Sequence, residues 1–225
     1  MSLWDENRVE RYIRLYGDPR DKKGSQSQLC ADLASLISSE ASSLLDFGCG
    51  LGHLIPHLPE SIEKYRGIDS SKEMLEQAKE FFPDSVFIQG NAVTAEGLGS
   101  IYGVPFDVTT AVSLLLHLER EEALKVYKNM WLWTKPGGSM IFSMETLGNR
   151  ETYRNDGLLI RNQEIDSIME DIQEATNMKP HTLYLPQKIT TSITQEWYCT
   201  LGKGKIIGFP KIAETTLLKV HKPGE

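Results

Sequence analysis

Cysteine is scarce: the chain has three in 225 residues, at Cys30, Cys49 and Cys199. They are too few and too scattered for a disulfide framework, and none belongs to a Cys-x-x-Cys metal knuckle, so reduced thiols are the expectation. Positive charge is also in deficit, with 24 Lys and Arg against 31 Asp and Glu and a formal net charge of -7. Nucleic-acid affinity rests on basic side chains that neutralise phosphates, so a wide polyanion-gripping face is disfavoured. No run of about 18 apolar residues occurs, which speaks against a membrane-spanning helix. The N-terminal stretch MSLWDENRVERYIRLYG carries charge throughout and lacks a signal-peptide core, so cytoplasmic residence is the default expectation. His and carboxylate residues nowhere cluster at metal-ligand spacing, and no metal is expected.

What the chain does contain is an alternation of helical and strand patterns, the signature of an α/β fold with a parallel sheet and helices on its faces. Its length and 40% hydrophobic content fit one domain over 1–225. Helices are predicted over 5–16, over 26–39 with Leu29, Leu33, Leu36 and Ile37 on one stripe, and near 51–59 despite Pro56 and Pro59. SSKEMLEQAKEFF opens with a serine cap and aligns Met74, Leu75, Ala78 and Phe82. Strands are predicted in SSLLDFG, YRGIDS, VFIQGNA, FDVTTAVSLL and SMIFSME, the last preceded by the helix EREEALKVYKNMWLWT and the turn KPGG. The final third holds a helix in NQEIDSIMEDIQEATN and strands in HTLYL and ETTLLKVHK. Between those strands runs an excursion, 186–212, too long for an ordinary connection.

The chemistry concentrates in LLDFGCGLG, residues 44–52, where a buried strand runs into Gly48, Gly50 and Gly52. Such a turn brings bare backbone against a ligand at the carboxyl edge of a sheet. A P-loop would end in Gly-Lys-Ser/Thr, and a dinucleotide turn would need glycine where His53 stands. Asp46, two residues ahead of the first glycine, suits a ligand with a positive group and repels a pyrophosphate.

These residues resemble the first motif of the class I S-adenosylmethionine-dependent methyltransferases, and four further stretches follow in order: GIDSS, FIQGNA, FDVTTAVSLLLHL and LWTKPGGSMIFS. The resemblance spans about 42–144 and implies a doubly wound, mostly parallel seven-stranded sheet with a final antiparallel strand near TTLLKVHK. It implies S-adenosyl-L-methionine as cofactor. Asp46 would attract its ammonium, and Gly48, Cys49, Gly50 and Gly52 would line the methionine and ribose portion. Asp69, with Ser70 and Met74 beside it, would hold the ribose hydroxyls. Asn91, where an Asp is common, would meet the adenine edge through its carbonyl oxygen, with Ala92 offering backbone. Ala111 and Val112 would border the sulfonium. The apolar VSLLL after the fourth strand lacks the polar pair used by base-amine methylating relatives.

The N-terminal helix resembles the Trp-x-x-x-x-Ala-x-x-Tyr lid of small-molecule members, with Val9 in place of Ala and Tyr12 closing over the cofactor. On this division 1–40 is lid, 42–146 cofactor core and 147–225 the acceptor-side part. Tyr16 and the following loop would help exclude water, and Lys22, Lys23 and Gln26 are candidates for the cofactor carboxylate. His117 is the candidate base if the acceptor must lose a proton, while His53 is read as packing or solvent-facing. Glu145 would bind a cationic acceptor or be solvated. Trp197, Tyr198, Ile206, Ile207 and Phe209 in the excursion would form an acceptor wall or a self-association surface, so a homodimer stays open. KGK at 203–205 reads as a solvated turn. A small-molecule acceptor leads; a protein or tRNA acceptor, a non-catalytic cofactor-binding module and a nicotinamide oxidoreductase remain as alternatives.

Overall fold

Residues 6–95, 98, 105–145, 150–153, 159–177, 183–184 and 215–222 are described in a computed structural model. The first parallel strands are β1 (Ser43–Phe47), β2 (Lys64–Asp69), β3 (Val86–Gln89), β4 (Phe106–Ala111) and β5 (Thr134–Glu145). All five residues of β1 are buried, as a central strand covered on both faces requires. The spatial order is β3-β2-β1-β4-β5. The chain therefore steps outward from β1 to β3, crosses back, and continues at β4 on the other flank. The reversal opens a crevice at the carboxyl ends of β1 and β4, the standard ligand position in open α/β sheets.

Helices α1 (Glu6–Tyr16), α2 (Gly24–Ala34), α3 (Lys72–Phe81), α4 (Arg120–Trp133) and α5 (Ile165–Thr176) complete the layers. Strand alternation sorts β1: Leu45 and Phe47 join Tyr127, Met130, Phe142, Ile168 and Ile172 on the face covered by α4 and α5. Leu44 points the other way, to Leu29, Leu33, Leu75 and Ala78 of α2 and α3. Each fully buried Leu or Phe of this kind stabilises by about 1.5–3 kcal/mol relative to exposure. Ser71 caps α3 by accepting from Met74 N at 3.1 Å, and Glu119 and Glu122 form a capping box at the start of α4.

At the opposite, amino-terminal edge, Asp107 accepts from Ser43 N (2.9 Å), Ser43 Oγ (2.6 Å), Ser42 N (3.1 Å) and Lys135 Nζ (2.9 Å). One carboxylate thereby ties the starts of β1, β4 and β5. Burial alone would raise its pKa, but the Ser43 hydroxyl, the Lys135 ammonium and the Ser42 amide hold it well below the usual carboxylate range.

Beyond the parallel core, β9 (Thr215–His221) runs antiparallel along β5 from Ser139↔His221 to Glu145↔Thr215, and β8 (Leu183–Tyr184) pairs with β9. These seven strands match the expected sheet. Two more were not expected: β6 (Arg150–Tyr153) and β7 (Leu159–Asn162) form an antiparallel hairpin whose link to β5 is the pair Glu145↔Asn162. Among the described residues the sheet thus carries this hairpin in addition to the seven expected strands. RETY and LIRN are four residues each and too mixed in polarity for periodicity to reveal them. The helix expected over 51–59 is also replaced, by turns and a single 3-10 turn at Ile55–His57, because Pro56 and Pro59 interrupt the backbone ladder. Helix α2 starts two residues early and ends five early, at Ala34. The excursion 186–212, with Trp197, Tyr198, Ile206, Ile207 and Phe209, lies outside the described residues.

Candidate functional site

The turn after β1 is a chain of backbone turns that side chains would obstruct in different ways. Gly48, Gly50 and Gly52 have φ of 69°, 52° and 83°, in the left-handed region that glycine enters without penalty. A Cβ at Gly48 would stand 3.0 Å from Leu114 Cδ1, and one at Gly52 would stand 2.9 Å from Ile55 Cδ1, so both glycines back onto the protein's own side chains. Gly50 has nothing within 4 Å of that position and faces open space. Gly50 thus presents a bare face to open space, while the Cβ positions of Gly48 and Gly52 are filled by the protein's own side chains. Gly48 N and Cys49 N both donate to Ile68 O, at 2.8 and 3.1 Å, which fixes the loop over the end of β2. Cys49 itself is buried.

Asp46 lies on the same face of β1 as Leu44 and is 3% exposed. Thr110 Oγ1 on β4 donates to its Oδ1 at 2.7 Å and Tyr65 Oη on β2 to its Oδ2 at 3.2 Å. Burial pushes its pKa up to about 7; the Thr110 and Tyr65 hydroxyls oppose the shift and the nearby Asp69 adds to it. No basic side chain is paired with it among the described residues. A buried carboxylate held only by neutral donors is a ready partner for a cationic ligand. Neither Tyr65 nor Thr110 was singled out from sequence, since both reach Asp46 only through strand pairing.

Asp69 ends β2 and is half-buried. Its Oδ2 accepts from Gly50 N at 3.0 Å and its Oδ1 from Ser71 N at 2.9 Å, and the Ser70 amide also favours the charged form. Burial raises its pKa against these backbone bonds. Asp69 therefore braces the glycine turn while Ser71, not Ser70, caps α3; Ser70 is exposed. Met74 is buried with Val9 and Leu51 beneath α1, alongside Tyr12 and Ile13. The Tyr12 ring stacks at 4.4 Å on Tyr16 and meets His53 edge-on at 5.7 Å. Burial, then Cys30 and Asp69, push the Tyr12 phenol up. The first helix thus packs against Leu51, His53 and Met74.

His53 is 6% exposed, and burial pushes its pKa down to about 4 against the pull of Asp18. Ser27 of α2 instead bonds His57 Nε2 at 2.9 Å. Lys22 and Lys23 are exposed, and Gln26 is half-buried in the first turn of α2.

Asn91 follows β3, and its Oδ1 accepts from Val93 N at 2.8 Å and Thr94 N at 3.3 Å. A flipped amide would set two donors against two donors, so this orientation is the one the contacts allow. The oxygen expected to meet adenine is thus taken up by the chain's own turn. The turn is further held by Asn129 of α4, whose Nδ2 donates to Ala92 O at 2.7 Å and Val93 O at 3.2 Å.

Residues 44–138, from β1 into β5, match a protein family described as "Methyltransferase domain". The match covers less than half of the chain, and over that stretch the chain is similar to methyltransferases. An uncharacterised methyltransferase of Oceanobacillus iheyensis is 24% identical over 169 residues, covering 73% of this chain and 78% of that one. A dTDP-3-amino-3,4,6-trideoxy-alpha-D-glucopyranose N,N-dimethyltransferase of Streptomyces venezuelae is 38% identical over 90 residues, 40% of this chain and 38% of that enzyme. The fold is shared with the 1,6-didemethyltoxoflavin-N1-methyltransferase of Burkholderia thailandensis, solved with that substrate and S-adenosylhomocysteine, at TM-score 0.63, 13% identity and coverage of 96% and 87%.

At the carboxyl end of β4, Ala111 is fully buried in the core and Val112 is half-buried. Ser113 takes φ of 53° and donates its N–H to Ser143 Oγ at 2.8 Å, bending the chain away from β4. His117, in the 3-10 turn Leu115–His117, has Nδ1 2.8 Å from Leu159 O of the hairpin. A carbonyl only accepts, so Nδ1 carries the hydrogen and Nε2 is the basic nitrogen. Glu145 pairs through its backbone with β7 and β9. Among the described residues no cluster could hold a metal ion, and no helix is long and apolar enough to cross a membrane.

Proposed function

We propose that the chain is a class I S-adenosylmethionine-dependent methyltransferase acting on a small or medium-sized acceptor, with S-adenosylmethionine lying over Gly50 between Asp46 and Asp69. The observation that carries the placement is the bond from Gly50 N to Asp69 Oδ2 beside open space at Gly50. The two carboxylates fit the two ends of the group: Asp69, half-buried at the end of β2, would accept from vicinal hydroxyls, and Asp46 offers a buried negative charge for an ammonium. Asn129 holds the Ala92–Val93 turn whose backbone would meet the adenine. Tyr12 and α1 would exclude water. When bound, the cofactor would supply an electrophilic methyl that bonds to the acceptor as the S–CH3 bond breaks in line, with S-adenosylhomocysteine as the leaving group.

Charge is cancelled in such a transfer, so alignment and dehydration do much of the work and a base is optional. Where the acceptor must lose a proton, His117 Nε2 is the group that would take it. The acidic balance of the chain and the small substrates in the names of the Streptomyces and Burkholderia enzymes support a small acceptor over RNA or protein. We read 1–225 as one catalytic domain acting in the cytoplasm.

The test is transfer of tritium from methyl-labelled S-adenosylmethionine to fractionated small-molecule extracts. Label in the small-molecule fraction that disappears with Asp69→Ala supports the reading. Label only in RNA or protein, or tight cofactor binding with no transfer to any fraction, contradicts it; NADH binding in place of S-adenosylhomocysteine would return the chain to the oxidoreductases.

A further inference from the structure

The hairpin carries a buried guanidinium whose donors are incompletely partnered among the described residues. Arg161, in β7, is 4% exposed, and among the described residues its Nε and Nη2 have no hydrogen-bond partner. The same holds for Tyr127 Oη on α4 and Gln163 Oε1 just after β7. The one buried carboxylate nearby is already engaged. Asp171 of α5 accepts from Arg120 Nε at 2.8 Å and Arg120 Nη2 at 2.7 Å through Oδ1, and from Gln163 Nε2 at 2.5 Å through Oδ2. Arg120 also donates to Glu174 at 2.7 Å. Arg120 thus serves both Asp171 and Glu174, and neither carboxylate bonds the guanidinium of Arg161, whose backbone partner across the hairpin is Glu151. Buried charged donors without partners are strongly destabilising, so Nε and Nη2 of Arg161 call for a visiting anion or for water.

The position argues for a visitor. Leu159, two residues before Arg161 on the same side of β7, binds His117 Nδ1 through its carbonyl. β7 in turn docks at the carboxyl end of β5, through Glu145↔Asn162. One short strand therefore joins the candidate base to the buried guanidinium. We propose that Arg161, with Tyr127 Oη, forms a subsite for an oxyanion, carboxylate or phosphate, carried by the acceptor. The Arg161 Nε and Nη2 donors grip its oxygens, Tyr127 Oη donates a further bond, and Gln163 Oε1 accepts from a hydroxyl or water beside it. This rests on the methyl-transfer reading for its biological meaning, and on the geometry alone for the anion.

Calorimetric titration of succinate and of inorganic phosphate, with succinamide as neutral control, into the protein saturated with S-adenosylhomocysteine tests it. Expected is binding of at least one anion and not of succinamide, weakened about tenfold or more by Arg161→Met and severalfold by Tyr127→Phe, with S-adenosylhomocysteine affinity unchanged. Which anion binds separates a carboxylate from a phosphate acceptor. Equal binding by Arg161→Met, or no anion binding by wild type, overturns the proposal and leaves water as the partner. If S-adenosylhomocysteine fails to bind, the functional reading falls, and the same titration on the unliganded protein still decides the anion. If Arg161→Met does not fold, the Arg161 side-chain 15Nε resonance of wild type serves instead: it must shift with anion and not with succinamide.

Discussion

Gly67 in β2 and Cys49 in the glycine turn stand so close that a Cβ on Gly67 would lie 2.7 Å from Cys49 Sγ and 2.9 Å from Tyr65 Oη. The missing side chain lets Tyr65 lean across its own strand to reach Asp46. Gly67→Ala should therefore displace Cys49 or Tyr65, at a cost of about 1–3 kcal/mol for an overpacked core. Urea unfolding reads the loss; a variant as stable as wild type would show that the contact yields freely.

Asp46 gives the site a pH dependence. In the unliganded fold it holds its proton up to about pH 7, while the unfolded chain releases it near 3.8. The folded state binds the extra proton, so this group's contribution to stability declines as pH rises from about 4 to 7 and levels off above. An ammonium favours the ionised form, so cofactor binding at pH 6 should release a proton and tighten as pH rises toward 7. Titration of S-adenosylhomocysteine in two buffers of different ionisation enthalpy measures that proton. Asp46→Asn should abolish it; proton release that persists in the variant would assign it elsewhere.

Asp107 has the opposite sign. Its depressed pKa contributes stability that is fully present above about pH 4 and lost as pH falls through the folded value. Asp107→Ala should destabilise by about 1–3 kcal/mol at pH 7, since Ser42, Ser43 and Lys135 lose their acceptor. The gap to wild type should narrow below pH 4. A gap that does not change with pH would show that the carboxylate's charge is not what counts.

Asn129→Ala should act on the cofactor rather than the fold. Loss of its bonds to Ala92 and Val93 frees the turn after Asn91, and S-adenosylhomocysteine should bind about 0.5–1.5 kcal/mol more weakly with the unfolding midpoint little changed. Unaltered affinity would separate this turn from the adenine.

Much of the core was legible because its signals are local. Strands β1 to β5 and helices α3 and α4 announce themselves by buried runs, a serine cap and apolar stripes, and Asp46, Gly50 and Asp69 by their places at strand ends. What escaped was made by pairing across the sequence. Tyr65 and Thr110 matter because register sets them beside Asp46, and Asn129 because α4 crosses the turn after β3. The local role of Asn91, whose amide oxygen accepts from its own backbone, also left no mark in the sequence, since an amide can serve its own turn as readily as a ligand. The β6/β7 hairpin, with Arg161, has strands too short to leave a period.

Calorimetry of S-adenosylhomocysteine against wild type and Asp69→Ala probes the placement of the cofactor most directly. Saturable binding by wild type, weakened by about 1.5–3 kcal/mol when the carboxylate is removed, is the predicted result. No heat at millimolar ligand, or equal affinity in the two proteins, would contradict it.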